Sequence, residues 1–197
     1  MKAGLFGGTF DPPHVGHLIV AQDALIALQL DRIVFVPAAT PPHKQDRHVT
    51  PPQHRLRMLE LAIGDNSAFA VDRMELDRPG PSYTVDTLRE LSDREPSADW
   101  TLLIGADQYA EFDTWKEPGE VRRMARIGVM GRAGTELPSD PAGTVTHVDV
   151  TRIDISSTAI RQRVANGLSI RYHVPAQVEA FIFENRLYGR NGTSVAG

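Results

Sequence analysis

Gly7-Gly8-Thr9-Phe10-Asp11-Pro12-Pro13-His14-Val15-Gly16-His17 is the stretch on which the reading of this chain turns. Residues 2–6 before it are a short apolar run, and Val15, Leu18, Ile19, Leu25 and Leu28 after it recur at roughly helical spacing. The segment therefore reads as strand, glycine turn, helix. Glycines let a backbone approach a ligand closely, and the free N–H groups of a helix start attract anions. His14 and His17 are three apart and share a face of the first helical turn, where they can donate hydrogen bonds to phosphate oxygens. Capping or surface histidines are the plainer alternative. A metal pair is a third, although no carboxylate or further histidine falls at a helpful local spacing. The glycine pattern does not fit the dinucleotide fingerprint, and no Gly-Lys-Ser/Thr triplet occurs, which excludes a Walker-type phosphate loop.

Outward from this turn, residues 32–36 read as a second strand closed by Pro37, and the proline-rich stretch 37–52 as a long loop. Thr50 with Gln53 forms a capping-box pattern and Pro51 suits a first helical position, so a helix is expected to about residue 63. Residues 69–74 alternate like a strand, 84–91 like a helix, and 101–104 like a buried strand ending at Gly105. Short helical pieces within 107–125 precede strands at 127–130 and 145–150. Ser156 or Ser157 can cap a helix that runs to Asn166 with Gly167 as its stop, and Pro175 opens a last helix to about residue 185. This alternation predicts an α/β domain, a mainly parallel sheet flanked by helices, whose ligands sit beyond the carboxyl ends of the strands. One domain is expected over residues 1–189, with the polar, glycine-bearing 190–197 as a loose tail.

The bulk composition agrees. The 197 residues are 41% hydrophobic, enough for a sizeable core. Lys and Arg number 21 against 25 Asp and Glu, so the net charge of −4 provides no broad basic field for nucleic acid or an anionic membrane. No cysteine is present, which removes disulfides, thiolate nucleophiles and cysteine metal sites together. The N-terminus lacks a signal-peptide apolar region, and the apolar stretch 18–30 is interrupted and too short to span a bilayer, so a cytoplasmic protein is expected.

A second candidate phosphate element is Ile155-Ser156-Ser157-Thr158-Ala159-Ile160-Arg161. Its hydroxyls and helix-start N–H groups, with Arg161 about one turn on, suit a polyphosphate; alone it would be an ordinary capped helix.

Together, Gly-Gly-Thr-Phe-Asp-Pro-Pro-His-x-Gly-His after strand one and the Ser-Ser-Thr-x-x-Arg helix start resemble the two signatures of the nucleotidyltransferase superfamily, which has a Rossmann-like fold. Three further segments resemble its nicotinate-nucleotide adenylyltransferases: Pro41-Pro42-His43-Lys44, Ser82-Tyr83-Thr84-Val85-Asp86-Thr87-Leu88, and Gly105-Ala106-Asp107 with Trp115 eight residues past the aspartate. The resemblance spans residues 2 to about 188. It implies transfer of the adenylyl group of ATP to nicotinic acid mononucleotide with release of pyrophosphate. It further implies that Gly7, Gly8, Thr9, Phe10, His14, His17, Gly105, Ser156, Ser157, Thr158 and Arg161 surround ATP, and that His14, His17 and Arg161 act in catalysis. Asp107 then accepts from the ATP ribose, Trp115 stacks on the nicotinate ring, and the backbone N–H groups of Thr84 and Lys116 take its carboxylate, in a pocket shared with Ser82 and Tyr83. Lys44 and Arg132 are further candidates for substrate phosphates. Mg²⁺ is expected to travel with ATP, since it prefers phosphates and retained waters to an all-protein cage. Family members vary in assembly, and a homodimer is one expectation. Pantetheine-phosphate adenylyltransferase shares the first loop and the chemistry and stands as the alternative enzyme. A non-catalytic nucleotide sensor on the same fold is the alternative of another class.

Overall fold

The structure, a computed structural model, describes residues 1–39, 49–131 and 143–189. Lys44, Arg132 and the expected tail 190–197 lie outside the described residues. The first apolar run becomes strand β1 (Lys2–Gly8), followed by helix α1 (Val15–Ala27) and strand β2 (Arg32–Pro37). Helix α2 (Pro52–Ile63) and strand β3 (Phe69–Val71) come next, then the single turn α3 (Met74–Asp77) and helix α4 (Thr84–Arg94). Strand β4 (Asp99–Gly105) leads into α5 (Ala106–Ala110), a 3-10 turn at Phe112–Thr114 and α6 (Pro118–Met124). Strands β5 (Arg126–Gly131) and β6 (Val145–Asp149) and helices α7 (Ser157–Ala165) and α8 (Ala176–Glu184) complete the order.

The six strands form one sheet in the order β3-β2-β1-β4-β5-β6, and every pairing is parallel. Alternation across the pleat sends neighbouring residues to opposite faces. Leu5, Val34, Val36, Leu102, Ile104, Ile127 and Val129 pack on one face against Val85, Leu88 and Leu91 of α4 and Val121 of α6. Phe6, Ile33, Phe35 and Leu103 pack on the other against Ala21 and Ala24 of α1 and Leu59 of α2. A third cluster, Met58, Ala62, Ile160, Ile170, Val178 and Ile182, fixes α7 and α8 on α2. That cluster is what holds the start of α7 near the end of β1.

Two local expectations are corrected. The capping box at Thr50 does not form: Pro51 takes the cap position with no side-chain bond, while Thr50 gives its N–H to the Asp11 carboxylate (3.2 Å). The strand expected to Met74 stops at Val71, because the Asp72 carboxylate accepts the Met74 N–H (2.9 Å) and turns the chain into α3.

Candidate active site

Strand order reverses between β1 and β4, so the loops after these two strands diverge and leave a crevice at the carboxyl end of the sheet. The loop after β1 is built around Phe10. Its ring is buried and packs edge-on against Phe6, with centroids 5.7 Å apart, and its backbone takes a left-handed φ of 48°. A Cβ on Gly8 would stand 2.9 Å from that ring, so only glycine fits there, whereas Gly7 faces open space. Phe10 therefore supports the loop from below, and any share it takes in binding falls to its backbone.

His14 caps α1 and His17 is the third residue inside it. Their rings stack, with centroids 3.7 Å apart and planes inclined by 26°. The His14 N–H donates to Nδ1 of His17 (3.2 Å), so the neutral His17 ring carries its proton on Nε2. Nδ1 of His14 is buried and has no partner among the described residues. Burial lowers the His14 imidazole to about 4, and burial followed by the charge of His14 lowers His17 to about 3. Both rings are thus neutral at pH 7.

The second element lies directly on the first. Ser157 donates its hydroxyl hydrogen to the Pro12 carbonyl (2.8 Å), and Arg161 donates from Nη1 to the Asp11 carbonyl (2.7 Å). Ser156 is the cap of α7, accepting the Ala159 N–H (3.1 Å), and Thr158 accepts from Nη2 of Arg161 (3.2 Å). The structure thus brings the two sequence motifs into one site, and Ser157 and Arg161, both proposed to hold phosphate, also hold the site together.

Three residues absent from the sequence-based site complete it. Asp11 is buried; its Oδ1 accepts from the Tyr188 hydroxyl (2.6 Å) and its Oδ2 from the Thr50 N–H. Arg55 is fully buried and donates to the carbonyls of Thr50 (3.0 Å), Thr9 (2.9 Å) and Ala39 (3.3 Å). A signal for Arg55 was present in the sequence: it occupies the first position of the buried stripe Arg55, Met58, Leu59, Ala62, where a charge is out of place. Asp11 was inside the quoted motif. Tyr188, past the last predicted helix, carried no local signal.

The loop after β4 holds the other candidates. Gly105 precedes α5, and a Cβ there would meet the Asp107 carboxylate at 2.6 Å; Asp107 itself is exposed on the first turn. Trp115 is half-buried, its ring 5.2 Å from that of Phe112. Lys116 reaches back to α4: its ammonium lies 4.7 Å from the centre of the Tyr83 ring and donates to Asp86 (2.8 Å). That hydrogen bond, ahead of the other nearby cations, holds the Asp86 carboxyl below its ordinary value. Thr84 is the first residue of α4, where an N–H has no acceptor within the helix. Ser82 accepts the Ala39 N–H (3.2 Å) and so ties this region to the end of β2. Among the described residues no three histidine or acidic side chains converge as a metal cage would require.

A doubly wound parallel sheet with an imidazole pair after its first strand and a guanidinium laid over the same loop defines a nucleotidyltransferase of the cytidylyltransferase-like class, and the model of that family matches residues 5–163. Relatives named probable nicotinate-nucleotide adenylyltransferase share 45% identity over 195 residues in Geobacillus thermodenitrificans, with 99% of this chain and 89% of the relative covered. In Thermus thermophilus the figures are 46% over 188 residues, 95% and 100%. This chain belongs to the nicotinate-nucleotide adenylyltransferase family. The fold is shared with Plasmodium falciparum nicotinic acid mononucleotide adenylyltransferase complexed with NaAD, at a TM-score of 0.78 and 17% identity over 95% of this chain and 97% of that one.

Proposed function

We infer that the protein transfers the adenylyl group of ATP to nicotinic acid mononucleotide, releasing pyrophosphate, at the crevice between the loops after β1 and β4. The observation that carries the assignment of residues is the junction of Ser157 and Arg161 with the carbonyls of Pro12 and Asp11, beside the stacked histidines.

The attacking 5′-phosphate has a second pKa of about 6 and is largely a dianion at pH 7, so it needs no general base. The histidines suit that chemistry, because imidazoles lowered to about 4 and 3 are poor proton acceptors at neutral pH. Their part is to donate hydrogen bonds to the α- and β-phosphates as charge builds there. The remaining N–H groups of Arg161 and of the α7 start face the departing β/γ end, and Lys44 and Arg132 are assigned to substrate phosphates. Magnesium arrives on ATP and is held mainly by phosphate oxygens and water, which fits a site whose donors are N–H groups and whose buried Asp11 already has both oxygens engaged.

On the other side of the crevice, Trp115 is the platform for the nicotinate ring and the N–H groups of Thr84 and Lys116 take its carboxylate. The pairing of Asp86 with Lys116 and Arg89 neutralises one acid on this side of the crevice. Incubation with ATP, magnesium and a panel of acceptors tests the whole reading. Nicotinic acid adenine dinucleotide and stoichiometric pyrophosphate are expected; product formation only with phosphopantetheine would overturn it.

A further inference from the structure

The phosphate-binding loop after β1 is short of internal bonds. Within it, Phe10 sits in a backbone conformation that side chains rarely adopt. Something outside the loop must define its shape. Arg55 meets that requirement. Its three bonds go to three different segments: the Thr9 carbonyl in the phosphate loop, the Ala39 carbonyl after β2, and the Thr50 carbonyl ahead of α2. The Asp11 carboxylate complements it, accepting from the Thr50 N–H and the Tyr188 hydroxyl.

Burial of a guanidinium is costly unless it is paired and fully bonded. At this position in α2 the stripe otherwise holds Met58, Leu59 and Ala62, so an apolar residue would serve the packing alone. Burial pulls the Arg55 guanidinium below its ordinary value, and the charge of the Asp11 carboxylate opposes that pull. A planar fork is the side chain that reaches three carbonyls in different directions from one fixed point.

We propose that Arg55, with Asp11 as its counter-charge and Tyr188 as the carboxylate's anchor, is a positioning residue that sets the phosphate loop, and through it His14 and His17, in the geometry for adenylyl transfer. Arg55 touches carbonyls and not the reacting atoms, so its effect passes through the loop. The inference rests on the assignment of that loop to the phosphates.

Four variants, Arg55→Lys, Arg55→Ala, Tyr188→Phe and His17→Ala, are compared by steady-state kinetics well below their unfolding midpoints. Arg55→Lys keeps the charge but cannot reach three acceptors, and a loop displaced by about 1 Å should cost roughly 10²-fold in kcat. KM for the mononucleotide, held on the other side of the crevice, should change less than threefold. Ethylguanidinium added to Arg55→Ala should restore about tenfold of the lost kcat by refilling the same carbonyl triangle. Tyr188→Phe, which removes the bond to Asp11 and no charge, should lower kcat about three- to tenfold with the fold intact, and it decides the matter if both Arg55 variants fail to fold. A purely structural Arg55 would lower the unfolding midpoint and leave kcat alone; wild-type kcat in Arg55→Lys, or in Tyr188→Phe where the Arg55 variants do not fold, overturns the proposal. If His17→Ala also turned over normally, the fault would lie with the assignment of the loop to phosphate.

Discussion

The loops after β1 and β4 face each other across one crevice but are held by different means. The first is fixed by bonds that are buried or partly buried: Arg55 and Arg161 on its carbonyls, Ser157 on Pro12, and Thr50 and Tyr188 on the Asp11 carboxylate. The second lies largely at the surface, with Asp107 and Lys116 exposed, and is fastened by aromatic packing at Trp115 and by the ion pairs that join Lys116 and Glu117 to Asp86 and Arg89. Buried hydrogen bonds to charged groups are worth more than exposed pairs, which contribute about 0–1 kcal/mol each. The side assigned to the triphosphate is therefore preorganised, and the side assigned to the acceptor is held more loosely. Rate should reside mainly in the first and choice of substrate in the second.

The largest effect expected on this division is in the second loop. If two backbone N–H groups hold the nicotinate carboxylate, exchange for the carboxamide loses charge-assisted bonds of roughly 1.5–3 kcal/mol each, or about 10² to 10⁴ in kcat/KM. Trp115→Ala should weaken the acid and the amide alike, by about tenfold, because ring stacking does not read the carboxylate. Equal efficiencies of wild type with both mononucleotides would break the comparison.

In the first loop, His17→Ala should lower kcat by roughly 10²- to 10³-fold with little change in the acid-to-amide ratio, as loss of a transition-state donor does elsewhere. Near-normal turnover would remove the histidine from the mechanism. Arg161→Ala should weaken ATP by about 10- to 10²-fold, and Arg161→Lys should not restore it, since lysine cannot span the Asp11 carbonyl, Thr158 and a phosphate at once. Wild-type ATP affinity in the lysine variant would count against the fork.

The last effect concerns acid and touches stability, not turnover. Below pH ~6.5 the unfolded chain protonates its histidines, whereas His14 and His17 stay neutral in the fold until about 4 and 3. The unfolded state then binds more protons, so stability falls as pH drops from ~6.5 toward 4, by at most about 1.4 kcal/mol per histidine per pH unit. Urea unfolding at pH 7 and 5 measures this loss. It should shrink in a His14→Asn, His17→Asn double variant, and an unchanged slope would show that the pair titrates normally in the fold.

Most of the fold was legible because it rests on local rules: apolar runs of strand length, a glycine stop at Gly105, a serine cap at Ser156. What sequence reading missed depends on contacts between distant segments. The Thr50 cap failed because its N–H is claimed by a carboxylate 39 positions earlier. The strand at Phe69 ended early because one aspartate, Asp72, competes for the backbone. The motif residues of the site stood out as a pattern, while Arg55 and Tyr188 are defined by what they touch in three dimensions. Phe10 sat within the motif, and only the packing shows it to be a support.

The bond from Tyr188 to Asp11 joins residues 177 positions apart, so the loop is completed by a side chain that is synthesised long after it. At roughly 5–20 residues per second, about ten seconds or more of translation separate the two. Until then Asp11 has one fewer donor, and the nascent chain carries the histidine motif without its finished support. Assembly of the catalytic half is thus a late event, and a chain cut short between residues 161 and 188 would keep both signatures in its sequence while lacking the anchor that fixes the first.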